Sequence, residues 1–202
     1  LADLEKSIKR IKPKLIWIET PSNPLLQSVN IKEIVKLAKI AKALVAADNT
    51  FLSPAFQNPL SLGADIVMHS TTKYINGHSD VIGGAVIVKT KKLHDQIQEW
   101  ANATGVAGAP FDSYLTLRGL RTLNLRMNTH ERNAMGLAKV LSNNKKVGAV
   151  YYPGLKSHPS YLIAKNQQKG FGGMLSFDLK GGLPAVRKFF KRVKNFTLAE
   201  SL

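Results

Sequence analysis

The chain has 202 residues, 44% of them hydrophobic, with 29 basic and 13 acidic side chains and a net charge of +16. It is long enough for one large domain or a domain and a half, and its composition is that of a folded protein, not a disordered one. There is no cysteine, which excludes disulfides and any Cys-ligated zinc or iron–sulfur centre.

The longest apolar run, from Val81 to Val88, is too short to span a bilayer. The absence of cysteine is compatible with a cytoplasmic location. The basic residues are scattered: Lys32, Lys36, Lys39 and Lys42, then Lys91 and Lys92, then Arg187, Lys188, Lys191 and Arg192. They do not interleave with aromatics as in a groove for single-stranded nucleic acid. A lysine-rich surface is the favoured reading, with no nucleic-acid or membrane partner, and a basic nucleic-acid-binding module is the alternative from another class. The chain opens on Leu1 and stops at Leu202, and both ends look cut, so a fragment of a longer polypeptide is expected.

In chain order, Lys14 to Ile18 reads as a buried strand, and Pro21 and Pro24 turn it into a loop. Asn30 with Glu33 resembles a capping box, and behind it Ile31, Ile34, Val35, Ala38 and Ala41 share one helical face. Leu44 to Ala47 is a second short strand. Gly63 ends a short helix before a third strand, Asp65 to Met68. Val81 to Val88 is a fourth, interrupted by Gly83 and Gly84. Strand and helix alternating at this spacing predict an α/β domain with a mainly parallel sheet.

From Leu93 the pattern becomes helical. Leu123, Met127, Ala134, Leu137 and Leu141 line one long helix that Asn143 and Asn144 end. A strand at Val147 to Tyr152, a Pro153-Gly154 turn, a helix near Tyr161, a strand at Met174 to Leu179 and a helix at Pro184 to Lys194 follow. That order predicts part of a second, smaller α+β domain. The boundary is placed near Asn128, giving 1–128 and 129–202.

Three polar segments sit just past predicted strands: Glu19 to Asn23, Asp48-Asn49-Thr50, and Ser70-Thr71-Thr72-Lys73. In open parallel sheets ligands bind outside the carboxyl ends of the strands, so the three point to one site. An amine such as that of Lys73 forms Schiff bases with aldehydes. The hydroxyls of Ser70 and Thr72 suit a phosphate. A carboxylate at Asp48, on a neighbouring strand end, can keep a pyridine nitrogen protonated, which makes the ring an electron sink. Together these are the groups that pyridoxal 5'-phosphate (PLP) requires. The run is short, and an exposed loop lysine beside ordinary turn residues remains open on spacing alone.

The stretch from Asp65 through Lys73 to Gly84 resembles the PLP-lysine segment of the Cys/Met-metabolism family of PLP enzymes. So do Trp17 to Pro24, Asp48 to Pro54, Arg118 to Leu123, Tyr152 to Leu155 with Ser157 to Pro159, and Phe196 to Leu202. The six segments occur in order from end to end. The resemblance implies the aspartate-aminotransferase-like fold (fold type I) and a trans-sulfuration enzyme of cysteine and methionine metabolism. Cystathionine γ-elimination is the first expectation, with γ-replacement as in a cystathionine γ-synthase, or another trans-sulfuration lyase, as the alternative.

It further implies that Lys73 holds PLP covalently and acts as the catalytic base, and that Asp48 pairs with the pyridine nitrogen. It assigns the phosphate to Ser70 and Thr72. Asn23 falls near both the cofactor's phenolic oxygen and the substrate carboxylate. Ser201 falls at that carboxylate and Glu200 near the far end of a cystathionine-like sulfur amino acid. A homotetramer with shared sites is implied. So is help from outside these residues: a glycine-containing phosphate loop, a tyrosine stacked on the ring, a Tyr/Arg pair reaching a neighbouring subunit, and an arginine for the substrate carboxylate.

No metal site is expected. His69, His78, His94, His130 and His158 lack ligand spacing and read as surface or satisfied core residues. Gly170-Phe-Gly-Gly173 reads as a close backbone approach at a strand start, not a phosphate loop. Asn76-Gly77 reads as a turn.

Overall fold

The computed structural model describes residues 2–199. Two sheets organise them. The first has the order β1-β2-β3-β4, with β1 (Leu15–Glu19), β2 (Leu44–Asp48) and β3 (Ile66–Ser70) parallel and β4 (Gly84–Val88) antiparallel to β3. The second pairs β5 (Val147–Tyr151) with β6 (Ser176–Leu179), antiparallel.

The helices are α1 (Ala2–Ile11), α2 (Ile31–Ala38), α3 (Ser53–Phe56), α4 (Lys91–Thr104), α5 (Pro110–Leu120), α6 (Leu123–Ser142), α7 (Tyr161–Gln167) and α8 (Gly182–Phe190).

β2 is the central parallel strand, and its Val45, Ala46 and Ala47 are all buried. Helix α2 covers one side of the sheet. Its N-cap Asn30 accepts a hydrogen bond from the Glu33 backbone N–H, which satisfies one of the free donors of the first turn. Ile31, Ile34 and Ala38 then pack with Val45 and Ala64. Burying each isoleucine contributes about 1.5–3 kcal/mol. Gly63, at φ +104°, ends the 3₁₀ turn Pro59–Leu62 as expected from sequence.

Several elements differ from the sequence reading. β1 lies at a sheet edge, with Leu15 and Trp17 exposed among the described residues, not buried on both faces. The fourth strand begins only at Gly84, because Val81-Ile82-Gly83 is drawn toward Thr72: the Gly83 N–H donates to Thr72 Oγ1 and the Thr72 N–H to the Gly83 carbonyl. Ahead of the long helix that begins at Leu123, the helical stretch is two helices, parted at Gly105, whose φ of +72° closes α4. The last strand starts at Ser176 and the last helix spans Gly182–Phe190. Helix α1 has no counterpart in the sequence reading.

Helix α6 joins two cores. At its start Leu123 and Met127 pack with Leu52, Phe56 and Tyr74. Further on, Ala134 and Ala138 pack with Tyr152, beside β5. We propose that the domain division falls inside α6, near Asn128, where one core gives way to the other.

The glycine run at 170–173 is a close approach. A Cβ on Gly173 would crowd His130 and the Tyr74 hydroxyl, and one on Gly170 would crowd the Phe56 ring. The Phe171 N–H donates to Glu131 Oε1 at 2.6 Å, so the segment docks on α6 just before β6. The Asn76-Gly77 pair is a turn, with Gly77 at φ +73°.

Candidate functional site

The parallel register sets Glu19 beside Asp48 at the carboxyl ends of β1 and β2, and β3 delivers Ser70 at its own end. One residue ties two of these ends together. The Thr50 N–H donates to Asp48 Oδ1 at 2.9 Å, while Thr50 Oγ1 accepts from the Ser70 N–H at 2.9 Å. The sequence placed Thr50 in the polar loop but gave no sign of this bridging role, which depends on strand register.

After Ser70 the chain makes one tight turn. The Lys73 N–H donates to the Ser70 carbonyl, Asn76 N–H to Thr71, and Gly77 N–H to Lys73. Lys73 is half-buried, and among the described residues its Nζ forms no hydrogen bond or ion pair. The Ser70 hydroxyl is likewise without a partner there. Thr72 Oγ1 differs: it accepts from the Gly83 N–H at 3.0 Å and reaches the Gly83 carbonyl at 3.3 Å. Its hydroxyl already joins the turn to the approach to β4.

Asn23 is exposed on the loop after β1. Its backbone N–H lies close enough to Glu19 to favour the ionised carboxylate. Loss of water contact and the neighbouring Asp48 outweigh that effect, and the Glu19 carboxyl is pushed above the usual range. The structure therefore gathers Asn23, Asp48, Ser70, Thr72 and Lys73 around three adjacent strand ends. Glu200 and Ser201 lie outside the described residues.

An amine and a hydroxyl without partners among the described residues, on the turn after β3, with a carboxylate at the end of the neighbouring strand, are a donor set that fits a pyridine aldehyde carrying a phosphate. The sequence profile of the Cys/Met metabolism PLP-dependent enzymes matches residues 1–202. The chain belongs to this family.

It is 52% identical over 192 residues to a cystathionine beta-lyase of Coxiella burnetii, covering 95% of this chain and 50% of that protein. It is 49% identical over 191 residues to a cystathionine gamma-lyase of Dictyostelium discoideum, covering 95% and 49%. The structure of a cystathionine gamma synthase of Xanthomonas oryzae pv. oryzae, in complex with cystathionine, superimposes with a TM-score of 0.97 at 53% identity, over 100% of this chain and 52% of that one. The fold is therefore that of the PLP-dependent cystathionine synthases and lyases, fold type I. The chain spans about half the length of the relatives it matches. PLP is the family's cofactor.

The histidines divide. His158 is buried and satisfied: its Nδ1 accepts from the Ser160 N–H and its Nε2 faces the Leu25 carbonyl at 3.1 Å. His78, His94 and His130 are exposed. His69 departs from the expectation of a satisfied core residue. It is buried on β3 with no partner for Nδ1, because its side chain lines a largely apolar cavity of about 410 Å³ beside Val67, Ile75 and Leu120. No group of three or more potential metal ligands occurs among the described residues.

Burial pushes the His69 imidazole below its usual range, against the opposing pull of Asp48. Below about pH 6.5 the unfolded chain takes up a proton that folded His69 refuses, so its contribution to stability falls as pH drops. In denaturant melts of the intact protein, the loss of stability between about pH 7.5 and 5.5 is expected to shrink in His69→Leu. An equal loss in both proteins would show that other groups set the dependence.

Proposed function

We propose that the intact protein carrying this chain cleaves cystathionine by PLP-dependent γ-elimination, with Lys73 as the residue that carries the reaction. The observation that supports the PLP chemistry is the placement of Lys73 one turn beyond β3, whose last residue Ser70 is joined through Thr50 to Asp48 at the end of β2. Preference for the γ position rests on Glu200 and Ser201, which resemble the pair found in γ-lyases and γ-synthases. The Glu200 carboxylate suits the distal ammonium of cystathionine.

When bound, PLP supplies an electron sink conjugated to the substrate's Cα. The residues of this chain do the rest. Lys73 would hold the cofactor through its amine, and that amine would take the proton from the substrate's Cα. The same amine carries protons to and from the neighbouring carbons so that the γ-thiol can leave. Asp48, whose Oδ1 accepts from the Thr50 N–H, would pair with the pyridine nitrogen. Ser70 would donate to the phosphate, and Thr72 would join it if its hydroxyl turned from Gly83. Asn23 lies at the open edge, where a substrate carboxylate would enter.

A second reading is γ-replacement, favoured by the likeness to the Xanthomonas γ-synthase. Assays on the intact protein separate the two: release of cysteine from cystathionine against condensation of an activated homoserine with cysteine. The γ-elimination reading expects the first to dominate, and dominance of the second overturns it. The 202 residues alone are expected to bind PLP poorly and turn over nothing. The family supplies a phosphate loop, a stacking tyrosine and a substrate-binding arginine from elsewhere. Ile82, Trp100 and Phe111 also lie more than 60% exposed on the β4–α4–α5 side, which favours self-association. PLP absorbance after dialysis, chain against intact protein, measures this, and robust cleavage by the chain alone would defeat it.

A further inference from the structure

We propose that Arg126 is a positioning residue for Lys73. The inference rests on the reading of Lys73 as the cofactor-binding amine, and it concerns how that amine is held in place.

The turn that carries Lys73 is one helical turn long. It ends at Gly77, where φ of +73° takes the chain out of helical conformation. A helical turn that stops leaves its last carbonyls without intrahelical donors. Here a side chain from another element supplies them. Arg126, on α6, donates from Nη1 to the Tyr74 carbonyl at 2.6 Å and from Nη2 to the Ile75 carbonyl at 3.3 Å. Nη2 also donates to the Gly119 carbonyl at 2.8 Å, near the end of α5, and Nε donates to Thr122 Oγ1 at 3.0 Å. One guanidinium thus fastens the two residues after Lys73 to the α5–α6 corner.

The backbone is shaped to receive it. A Cβ on Gly77 would overlap the Arg126 guanidinium, and a Cβ on Gly119 would overlap the Asn76 carbonyl. Both positions lack a side chain where the corner and the turn meet. Among the described residues Arg126 has no carboxylate partner. Its planar fork is occupied by backbone carbonyls and not by a charge pair. That arrangement needs an arginine: a lysine offers three donors at one point and cannot reach three separated carbonyls. Without the fork, the carbonyls of Tyr74 and Ile75 lose their donors and the turn is free to rotate. A displacement of about 1 Å at a reacting group can lower a rate about a hundredfold.

The test uses the intact PLP-loaded protein and compares wild type, Arg126→Lys and Arg126→Met. Borohydride reduction with PLP, followed by mass spectrometry of the Lys73 peptide, measures how fast and how completely the amine is captured. Turnover of cystathionine is then expressed per captured Lys73, and melting temperature is recorded alongside. In Arg126→Met, kcat per site is expected to fall roughly tenfold to a hundredfold with KM within about threefold, and Lys73 capture to slow about tenfold. Arg126→Lys is expected to lie between the two. A residue that only stabilises the fold would lower the melting temperature and the number of loaded sites, leaving kcat per site unchanged.

Wild-type capture and kcat per site in Arg126→Lys and Arg126→Met would overturn the proposal. If the methionine variant does not fold, the lysine variant decides: slower capture supports the role and unchanged capture ends it. If wild-type protein itself shows no PLP on Lys73, the underlying reading of Lys73 fails and this inference falls with it. Normal wild-type capture with unaffected variants removes the Arg126 role alone.

Discussion

Lys73→Ala in the intact protein is expected to lower turnover at least about a hundredfold. Two losses combine in that figure. The first is the covalent anchor, since no other lysine follows the ends of β2 and β3 at this distance along the chain. The second is the group that moves the proton at Cα, and a positioned acid–base group contributes about 10²–10⁴-fold by itself. The fold should be indifferent to the change, because the Lys73 side chain forms no hydrogen bond or ion pair among the described residues and the turn is built from backbone bonds through Ser70, Thr71 and Gly77. Circular dichroism and melting temperature should therefore match wild type while the PLP absorbance and the rate collapse. Unchanged turnover in Lys73→Ala would remove this residue from the chemistry.

The reason Lys73 could be found from sequence, and Arg126 could not, is physical. A parallel strand announces itself by a short apolar run, and its carboxyl end is where ligands bind, so polar residues after Ile18, Ala47 and Met68 were legible as one site. The caps were legible too, because Asn30 and Gly63 act on neighbours within three or four residues. Arg126 acts across about fifty residues, on carbonyls whose identity leaves no trace in side-chain pattern.

The antiparallel β4 was obscured for a similar reason. Val81-Ile82 looks like strand by composition, but the Thr72–Gly83 bonds hold it beside the lysine turn. Helix α1 was missed because half of its residues are charged and its apolar contribution is narrow, with Ile8 buried and Leu4 packed against the α2 core. The polar wiring of the site was the least legible part. Thr50 falls in a polar loop and Gln57 and Gln167 stand in no motif, and their partners are fixed only when distant segments of the chain come together.

Gln57 is where that wiring converges, and Gln57→Leu is expected to destabilise the intact protein by about 2 kcal/mol. Gln57 is 2% exposed. Its Nε2 donates to the Thr20 carbonyl at 3.0 Å and to Asn49 Oδ1 at 3.0 Å, and its Oε1 accepts from Gln167 Nε2 at 2.9 Å. Thr20 follows Glu19 and Asn49 follows Asp48, so the amide fastens the loops at the ends of β1 and β2. Gln167 belongs to α7, and it also accepts from the Ile31 N–H and donates to the Val29 carbonyl. Leucine has similar bulk but leaves two acceptors, the Thr20 carbonyl and Asn49 Oδ1, without this donor, each worth about 1–3 kcal/mol when orphaned, while Gln167 Nε2 keeps its bond to the Val29 carbonyl. The two further aliphatic carbons that leucine puts in place of the amide recover about 0.8 kcal/mol each. Denaturant titration of wild type and Gln57→Leu gives the difference directly. A second signature separates this hub from a general packing defect. Gln167→Leu cuts the same link together with the bonds to Ile31 and Val29, and because the shared link is lost only once, the double variant should lose less than the sum of the two singles, by about 0.5–3 kcal/mol. Additive losses would mean that the two amides stabilise their surroundings independently, and the loops at Asp48 and the α7 side of the molecule would then not be coupled through this contact.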